Sequence, residues 1–343
     1  MCAYGMRKHP ALRARIAGAV LLLIVMAGQI RAQSGWPLYR IPDTGQSTHA
    51  TATPGEDADY AINVPSFAIS GGMTVIDNIT GLMWQRADGG EMTSERALIY
   101  CDTLTLGGYT DWRLPSSREL FGILHHDRLN PALDTAIFTV TPAEYWWGSE
   151  VRADGVTRVW AANAGGGIGA HLRTETVSAS GAKRFHVRAV RNVVRAIPLD
   201  VRLRDNGDGT VTDRTTGLQW QKTQPAVTMT WENALTYAES LSLAGRTDWR
   251  LPNIKELQSL NDPSVLRPSI RAPFMLTGTT GKLWSSTSQF NALTRAWYMD
   301  YEFGIVTYEL KTAAQGVLCV RGTSTGQLMS IREALIPAGG MAD

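Results

Sequence analysis

A hexapeptide with charged and aromatic side chains, TDWRLP, occurs twice in the 343-residue chain, at 110–115 and at 247–252. In an extended segment its Asp and Arg share a face, so they can form a charge-assisted pair, or each can bond to backbone. The Trp has a large apolar surface to bury, and the Pro ends the extended segment before a helix. These properties favour a structural role over ligand contact. The residues concerned are Asp111, Trp112, Arg113, Asp248, Trp249 and Arg250.

A second candidate site is a basic stretch from Lys183 to Arg204, where seven basic residues accompany one acid, Asp200. Alternate residues of a strand share a face, so RFHVRAV (184–190) predicts a basic stripe. Such a stripe can hold sulfate, carboxylate or phosphate groups. An ordinary solvated strand face followed by a linker is equally compatible with the pattern. The predicted ligand-binding residues are Lys183, Arg184, His186, Arg188 and Arg191.

Motifs typical of catalysis or metal binding are absent from the sequence. There is no Ser/His/Asp order, P-loop or dinucleotide fingerprint, and no Cys or His group completes a zinc set with His125 and His126. The turn DNGDG (205–209) resembles part of a calcium loop, but Arg204 stands at the first ligand position. We therefore expect a non-enzymatic protein with no cofactor and no metal site. The glycine-rich stretch AGGGIG (164–169) is interpreted as a flexible loop.

The amino terminus predicts export. Basic residues precede the apolar run IAGAVLLLIVMAG, which is too short for a comfortable membrane span. We expect a signal peptide at 1–32 with cleavage after Ala32, no transmembrane segment afterwards, and a periplasmic or extracellular location. Cleavage removes five of 33 basic residues and none of 31 acidic ones, which leaves a net charge near −3. A globally basic nucleic-acid-binding protein is thereby excluded.

The motifs belong to two copies of a longer pattern. VIDNITGLMWQR (75–86) matches VTDRTTGLQWQK (211–222) at seven of twelve positions, and the TDWRLP blocks follow at the same spacing. A period this long predicts two tandem domains rather than a solenoid. The predicted organisation is a linker rich in Gly, Pro, Ser and Thr at 33–57, copy one at 58–198, copy two at 199–325 and a tail at 326–343.

Each copy predicts an α+β domain of short, twisted antiparallel strands and two helices. The turn DNGDG suits a hairpin, because Asn, Asp and Gly tolerate positive φ. A first helix follows the hairpin, and a second follows the TDWRLP block. The candidate N-caps are Thr93 and Thr230 for the first helix, and the capping-box pairs Ser116–Glu119 and Asn253–Glu256 for the second. Short Trp-rich strands complete each copy.

Several blocks of copy two, in this order, resemble the Lcl C-terminal domain family: DNGDGTVTDRTTGLQWQ, TDWRLPNIKEL, LWSST, AWYMD and VLCVRG. The match covers nearly all of copy two and most of copy one. The family resembles C-type-lectin-like folds, and the adhesin for which it is named binds sulfated glycans. The resemblance therefore implies two tandem C-type-lectin-like domains in an exported binding or adhesion protein, with acidic or sulfated polysaccharide as partner. A structural interaction module with envelope proteins as partners is the alternative.

The cysteines depart from the family pattern, which often has one Cys in the first helix and one in the last strand. Copy one has Cys101 in the helix but Ala189 in the strand, whereas copy two has Ala238 in the helix and Cys319 in the strand. These complementary losses imply a disulfide between Cys101 and Cys319 that links the copies. Two buried free thiols are the alternative.

Overall fold

The structure of the protein is a computed structural model. It describes residues 36–37, 40–139, 143–175, 185–191, 196–197, 202–278 and 280–322. The predicted signal peptide, the tail at 326–343, Lys183 and Arg184 lie outside these residues. Within the described part of the chain, no helix is both long enough and apolar enough to cross a membrane.

The two copies contain helices and strands in nearly the same order. A short N-terminal strand, β1 (Trp36–Pro37), precedes them. Copy one comprises β2 (Phe67–Ser70), β3 (Thr74–Asp77), β4 (Met83–Gln85), α1 (Ser94–Thr103), α2 (Ser117–Ile123), β5 (Tyr145–Val151), β6 (Arg158–Asn163), β7 (Ile168–Leu172), β8 (Phe185–His186) and β9 (Val190–Arg191). A connecting strand, β10 (Ala196–Ile197), pairs with β1. Copy two comprises β11 (Leu203–Asp205), β12 (Thr210–Asp213), β13 (Gln219–Gln221), α3 (Trp231–Ser240), α4 (Ile254–Ser259), β14 (Lys282–Ser288), β15 (Arg295–Asp300), β16 (Ile305–Leu310) and β17 (Val320–Arg321). Mixed helices and mainly antiparallel strands agree with the predicted class.

Each copy has a small sheet that its last strand completes. The strand orders are β2-β3-β4-β9 and β11-β12-β13-β17. The predicted hairpin at DNGDG joins β11 to β12, and its Gly207 has a φ of +79°, which a side chain would disfavour. The last strand places Val190 opposite Trp84 and Val320 opposite Trp220. Both indoles are fully buried, so this pairing closes the core of each copy.

The second sheets of the two copies merge into one seven-stranded sheet, with the order β14-β15-β16-β7-β6-β5-β8. Strand β16 of copy two and β7 of copy one are antiparallel neighbours, with Val306 opposite Ile168. Because equivalent strands meet antiparallel, an approximate two-fold axis relates the copies at this contact. The hydrophobic core follows the same plan, since one cluster of buried side chains includes residues from both copies. The copies therefore form one continuous structure.

Two buried cations at equivalent positions also join the copies. Arg118 of α2 donates a hydrogen bond to the carbonyl oxygen of Ser259, at the end of α4. In the other direction, Nζ of Lys255 in α4 donates to the carbonyl oxygen of Gly122 in α2 at 2.9 Å. Burial lowers the pKa of Lys255 to about 8. The pair shows that the α2–α4 contact is polar at its ends although its centre is apolar.

The helix starts largely follow the sequence prediction. Both capping boxes, Ser116–Glu119 and Asn253–Glu256, are present with reciprocal hydrogen bonds. Thr93 caps α1 by accepting a hydrogen bond from the backbone N–H of Arg96. Thr230 occupies the N-cap position of α3, but its side chain makes no capping hydrogen bond, so that part of the prediction was wrong.

A packed N-terminal strap, which we define as residues 40–62, covers most of the segment predicted as a linker (33–57) and the first residues predicted for copy one. In copy one, the carbonyl oxygen of Thr44 accepts a hydrogen bond from the backbone N–H of His126 at 2.8 Å. In copy two, the side-chain amide of Gln46 bonds to both backbone groups of Ser288, at 2.8 and 2.9 Å. The small polar residues that suggested a flexible linker instead satisfy polar groups of both copies.

Asp57 is a buried anchor of the strap in copy two. Its carboxylate accepts a hydrogen bond from Oγ1 of Thr287 at 2.6 Å. The Thr287 oxygen in turn accepts a hydrogen bond from the backbone N–H of Ile254 at the start of α4. At the equivalent place in copy one, Glu150 accepts directly from the backbone N–H of Ser117 at 2.7 Å. The strap thus supplies copy two with the carboxylate that copy one carries in its own strand.

Candidate functional site

The tryptophans of the two TDWRLP motifs are buried at equivalent places. Trp112 is 3% exposed and Trp249 is 2% exposed. Each indole Nε1 donates a hydrogen bond at 3.2 Å to a backbone carbonyl oxygen, that of Leu106 or of Leu243. With the ring buried and its N–H satisfied within the same copy, the motif's tryptophan acts in packing.

The Arg of each motif bonds to the Glu of the following capping box. Arg113 makes two hydrogen bonds to the carboxylate of Glu119, at 2.9 and 2.6 Å. Arg250 makes two to the carboxylate of Glu256, both at 2.6 Å. A bidentate pair fixes the direction of the carboxylate as well as its distance. The motif therefore orients the start of the second helix in each copy.

The Asp of each motif bonds to the last strand instead of to its neighbouring Arg. Asp111 accepts two hydrogen bonds from Arg191, at 2.7 and 3.0 Å. Asp248 accepts two from Arg321, at 2.7 and 2.9 Å. These hydrogen bonds hold the pKa of both carboxyl groups below its ordinary value. The pairing of Asp with Arg inside the motif, one of two possibilities open from the sequence, does not occur.

The structure corrects the prediction of a basic ligand-binding stripe. His186 is buried, with Nδ1 at 3.0 Å from the carboxylate of Asp88. Arg188 has no exposed surface, and burial lowers its pKa to about 10. Arg188 donates to the carbonyl oxygens of Gln85, Arg86 and Thr139. Arg191 is paired with Asp111 and lies over the ring of Tyr109. The alternation of residues along a strand predicts which side chains share a face. It does not predict whether that face is buried or exposed to solvent.

The predicted disulfide between the copies is also absent. Cys101 and Cys319 are buried free thiols in two separate hydrophobic clusters. Cys101 shares its cluster with Ala189, and Cys319 shares its own with Ala238. Each cysteine therefore packs with the alanine that replaces its partner in the same copy, so the two losses are independent.

We expect both thiols to resist alkylation in the folded protein and to react in denaturant without reductant. Burial raises the pKa of Cys101 to about 12 and raises the pKa of Cys319 as well, so the reactive thiolate is scarce in the folded state. Mass spectrometry after iodoacetamide treatment, with and without urea, measures this. If both cysteines stay unmodified in urea until a reductant is added, the disulfide exists.

A cleft of about 470 Å³ lies where the two copies meet beside the β7–β16 contact. Copy one contributes the polar and aromatic side chains of Asn130, Tyr145, Asn163 and His171, and copy two those of Gln289, Asn291, Trp297 and Tyr308. No Asp, Glu, Lys or Arg lines the cleft within the residues that the structure describes. Its size suits a small organic ligand or one or two units of a polymer, and its surface is polar but uncharged.

Aromatic rings form opposite walls of the cleft. Tyr308 on β16 is 37% exposed and meets Trp297 edge to face, with ring centroids 5.4 Å apart. On the other wall, Tyr145 meets His171 with ring centroids 4.5 Å apart. His171 and Tyr308 are 137 positions apart, the spacing between equivalent residues of the copies. The approximate two-fold axis therefore sets an exposed ring, Tyr308, and a partly buried one, His171, at corresponding places in the two copies.

The glycine-rich stretch AGGGIG lies along this cleft, at the contact between the copies, and runs into β7. A Cβ atom at Gly167 would lie 2.9 Å from the carbonyl oxygen of Val306, which is too close for any side chain. The glycine thus permits β7 to approach β16. The flexible loop expected from the sequence is instead a close contact that shapes the site.

The amide side chains of the cleft provide both donors and acceptors of hydrogen bonds. Gln289, just after β14, is 6% exposed, and its Oε1 has no hydrogen-bond partner among the described residues. Buried polar atoms are nearly always satisfied, so this oxygen is a place for a water molecule or a ligand hydroxyl. The described lining thus supplies aromatic faces and neutral hydrogen-bonding groups.

A family model described as Lcl C-terminal domain matches the chain twice, over residues 73–191 and 209–321. Each match ends at the Arg that bonds to the Asp of its TDWRLP motif, so each spans the copy from its hairpin to its closing strand. No curated protein matches the chain at a significant level.

Proposed function

The chain belongs to the Lcl C-terminal domain family, of which it contains two copies, and from this membership we propose that it is an exported, non-enzymatic glycan-binding protein. In this proposal each copy is a C-type-lectin-like domain, and the protein acts in adhesion at the cell envelope, in the periplasm or outside the cell. The glycan binds in the cleft between the copies.

The observation that carries the proposal is that aromatic rings, of which Tyr308 is exposed, line one cleft together with neutral amides. The faces of a sugar ring carry C–H groups that pack on aromatic side chains, and its hydroxyl groups both donate and accept hydrogen bonds. Tyr308 and His171 provide the rings, and Asn291 and Gln289 provide amide groups beside them. The uncharged lining suits the sugar ring itself rather than an isolated anion.

In this proposal Arg295, which lies beside Tyr308, binds a charged substituent on the glycan. This residue is exposed, and its guanidinium lies 5.4 Å from the centroid of the Tyr308 ring. An arginine beside a stacking ring can bind a sulfate or carboxylate while the ring holds the sugar. Arg295 therefore replaces the buried Arg188 as the cation proposed to recognise acidic polysaccharide.

We expect Tyr308→Ala to weaken glycan binding by about tenfold or more, because it removes one exposed stacking surface from the cleft. A glycan array identifies the ligand, and biolayer interferometry with dextran sulfate and unsulfated dextran compares charge preference. Tyr109→Ala is the matched control, since Tyr109 is 40% exposed but lies outside the cleft. Equal losses in the two variants, or no binding to any glycan on the array, would contradict the proposal.

An envelope protein-interaction module is the second candidate. Phe290 and Leu293 lie in the turn after β14 and are 41% and 38% exposed. Exposed apolar side chains next to a cleft are typical of a protein contact surface. This candidate would be favoured if the protein captures one defined envelope protein, if Phe290→Ser abolishes that capture, and if no glycan binds.

A further inference from the structure

Three metal-binding side chains converge on the N-terminal strap, away from the cleft. Nδ1 of His49 lies 3.0 Å from Oε1 of Glu56 and 3.5 Å from Oδ1 of Asp59. All three ligand atoms lie within 4.8 Å of one another. Among the residues that the structure describes, this is the one group of three or more such side chains with that spacing.

The two spacings from the His49 nitrogen are close to those around a small tetrahedral ion. Zinc bonds to imidazole nitrogen and carboxylate oxygen at about 2.0–2.2 Å, which separates neighbouring tetrahedral ligands by roughly 3.3–3.5 Å. The distances from the His49 nitrogen to the two carboxylates lie near this range. An imidazole Nδ1–H can donate fully to one acceptor, so two carboxylates converging on this nitrogen exceed what a single hydrogen bond requires.

Backbone groups hold both carboxylates in place. The backbone N–H of Ala50 donates to the two oxygens of Glu56, at 3.1 and 2.9 Å, and the backbone N–H of Gly55 donates to Asp59 at 2.8 Å. The side chain of Glu56 is only 1% exposed. Hydrogen bonds behind a ligand orient it toward the metal and reduce the cost of binding.

The third ligand, His49, leaves the site accessible to solvent. The side chain of His49 is 59% exposed, so an ion can enter from solvent and water can occupy the remaining position. Two anchors of the strap fall within the span from His49 to Asp59: Thr51 bonds to Glu232 of α3, and Asp57 bonds to Thr287 of β14. An ion here would tie residue 49 to residue 59 and fix the strap against copy two.

From these contacts we propose that the strap binds one zinc-class divalent ion through His49, Glu56 and Asp59, in a structural role that is independent of glycan binding. Imidazole with carboxylates favours zinc over calcium or magnesium, which prefer all-oxygen ligands. This site was not predicted from the sequence, because no dense His or Cys motif is present.

Isothermal titration of the untagged, EDTA-treated protein with zinc chloride tests the proposal. We expect one zinc per chain, and a loss of affinity of about tenfold or more in both His49→Ala and Asp59→Asn. His171→Ala is the control, because it removes a histidine that lies outside the strap, and it should bind zinc like the unchanged protein. Tyr308→Ala should also leave zinc binding intact.

A thermal melt of each variant without metal shows whether it still folds, which separates loss of the site from loss of structure. Zinc should raise the melting temperature of the unchanged protein and of His171→Ala but not of the two site variants. No zinc binding up to millimolar concentration, or binding unaffected by His49→Ala, would overturn the proposal and leave a hydrogen-bonded cluster without an ion.

Discussion

Arg188→Ala is expected to lower the free energy of unfolding by about 3–5 kcal/mol. The guanidinium has no exposed surface, and it is the hydrogen-bond donor to three backbone carbonyl oxygens. Its carboxylate neighbour Asp88 has no exposed side-chain surface either. Truncation would leave these acceptors and a buried charge without their cation, and each loss is costly in the interior.

Urea denaturation followed by tryptophan fluorescence measures this effect. Arg191→Ala is the matched control, because it also removes an arginine from the same stretch, but one paired with the exposed Asp111. Exposed pairs contribute little, so the control should unfold close to the unchanged protein. If Arg188 were a ligand-binding residue on an open face, as the sequence suggested, the two variants would unfold at the same urea concentration.

Local patterns explain why the duplication and the helix starts were predictable from sequence. A capping box requires a side chain and a backbone N–H only three positions apart, so Ser116–Glu119 and Asn253–Glu256 specify helix starts without help from distant residues. The turn DNGDG likewise specifies its hairpin, since its conformation depends on glycine and asparagine within the turn. The same local physics recurs in both copies.

The joining of the copies could not be predicted, because it depends on residues far apart in the chain. Strands β7 and β16 pair through backbone groups, which every residue has, so residue types do not reveal the pairing. The feature of the sequence that permits the close approach is the absence of a side chain at Gly167. The cleft follows from that contact, so its lining comes from several separate segments. Of these residues, only the glycine-rich stretch stood out in the sequence, and it suggested flexibility.

Charge and composition misled where burial decides the role of a residue. In the sequence, Arg188 and His186 are recognisable only as basic residues of a predicted strand. The sequence does not show that Asp88 and three backbone carbonyl oxygens interact with them in the interior. The strap was also misinterpreted, because its polar composition did not show that it packs against both copies. Small polar residues are typical of a linker, and they also suit a segment that must satisfy polar groups on two surfaces, as Gln46 does at Ser288.

We expect the free energy of unfolding of Asp57→Asn to increase, relative to that of the unchanged protein, as pH rises from about 4 to about 7. Burial, together with the nearby carboxylate of Asp43, raises the pKa of Asp57 from 3.8 to about 7. In this window the unfolded chain releases the Asp57 proton and the folded protein retains it, so folding becomes less favourable as pH rises. Asparagine cannot ionise, and its side-chain oxygen still accepts from Thr44 and Thr287.

The difference in free energy of unfolding between variant and unchanged protein should therefore grow by more than about 1 kcal/mol across this window and level off above pH 7. Urea denaturation at pH 4.5, 6 and 8 gives that difference, and titrating groups that do not interact with Asp57, such as Glu150 with its pKa raised to about 7, cancel in the subtraction. Asp208→Asn is the flat control: a hydrogen bond from Thr210 lowers the pKa of this exposed carboxyl, so it is ionised in both the folded and the unfolded protein across this range and its difference should hardly change. A flat difference for Asp57→Asn would mean that Lys255, whose pKa of about 8 keeps it charged at pH 7, stabilises an ionised Asp57 in the folded protein.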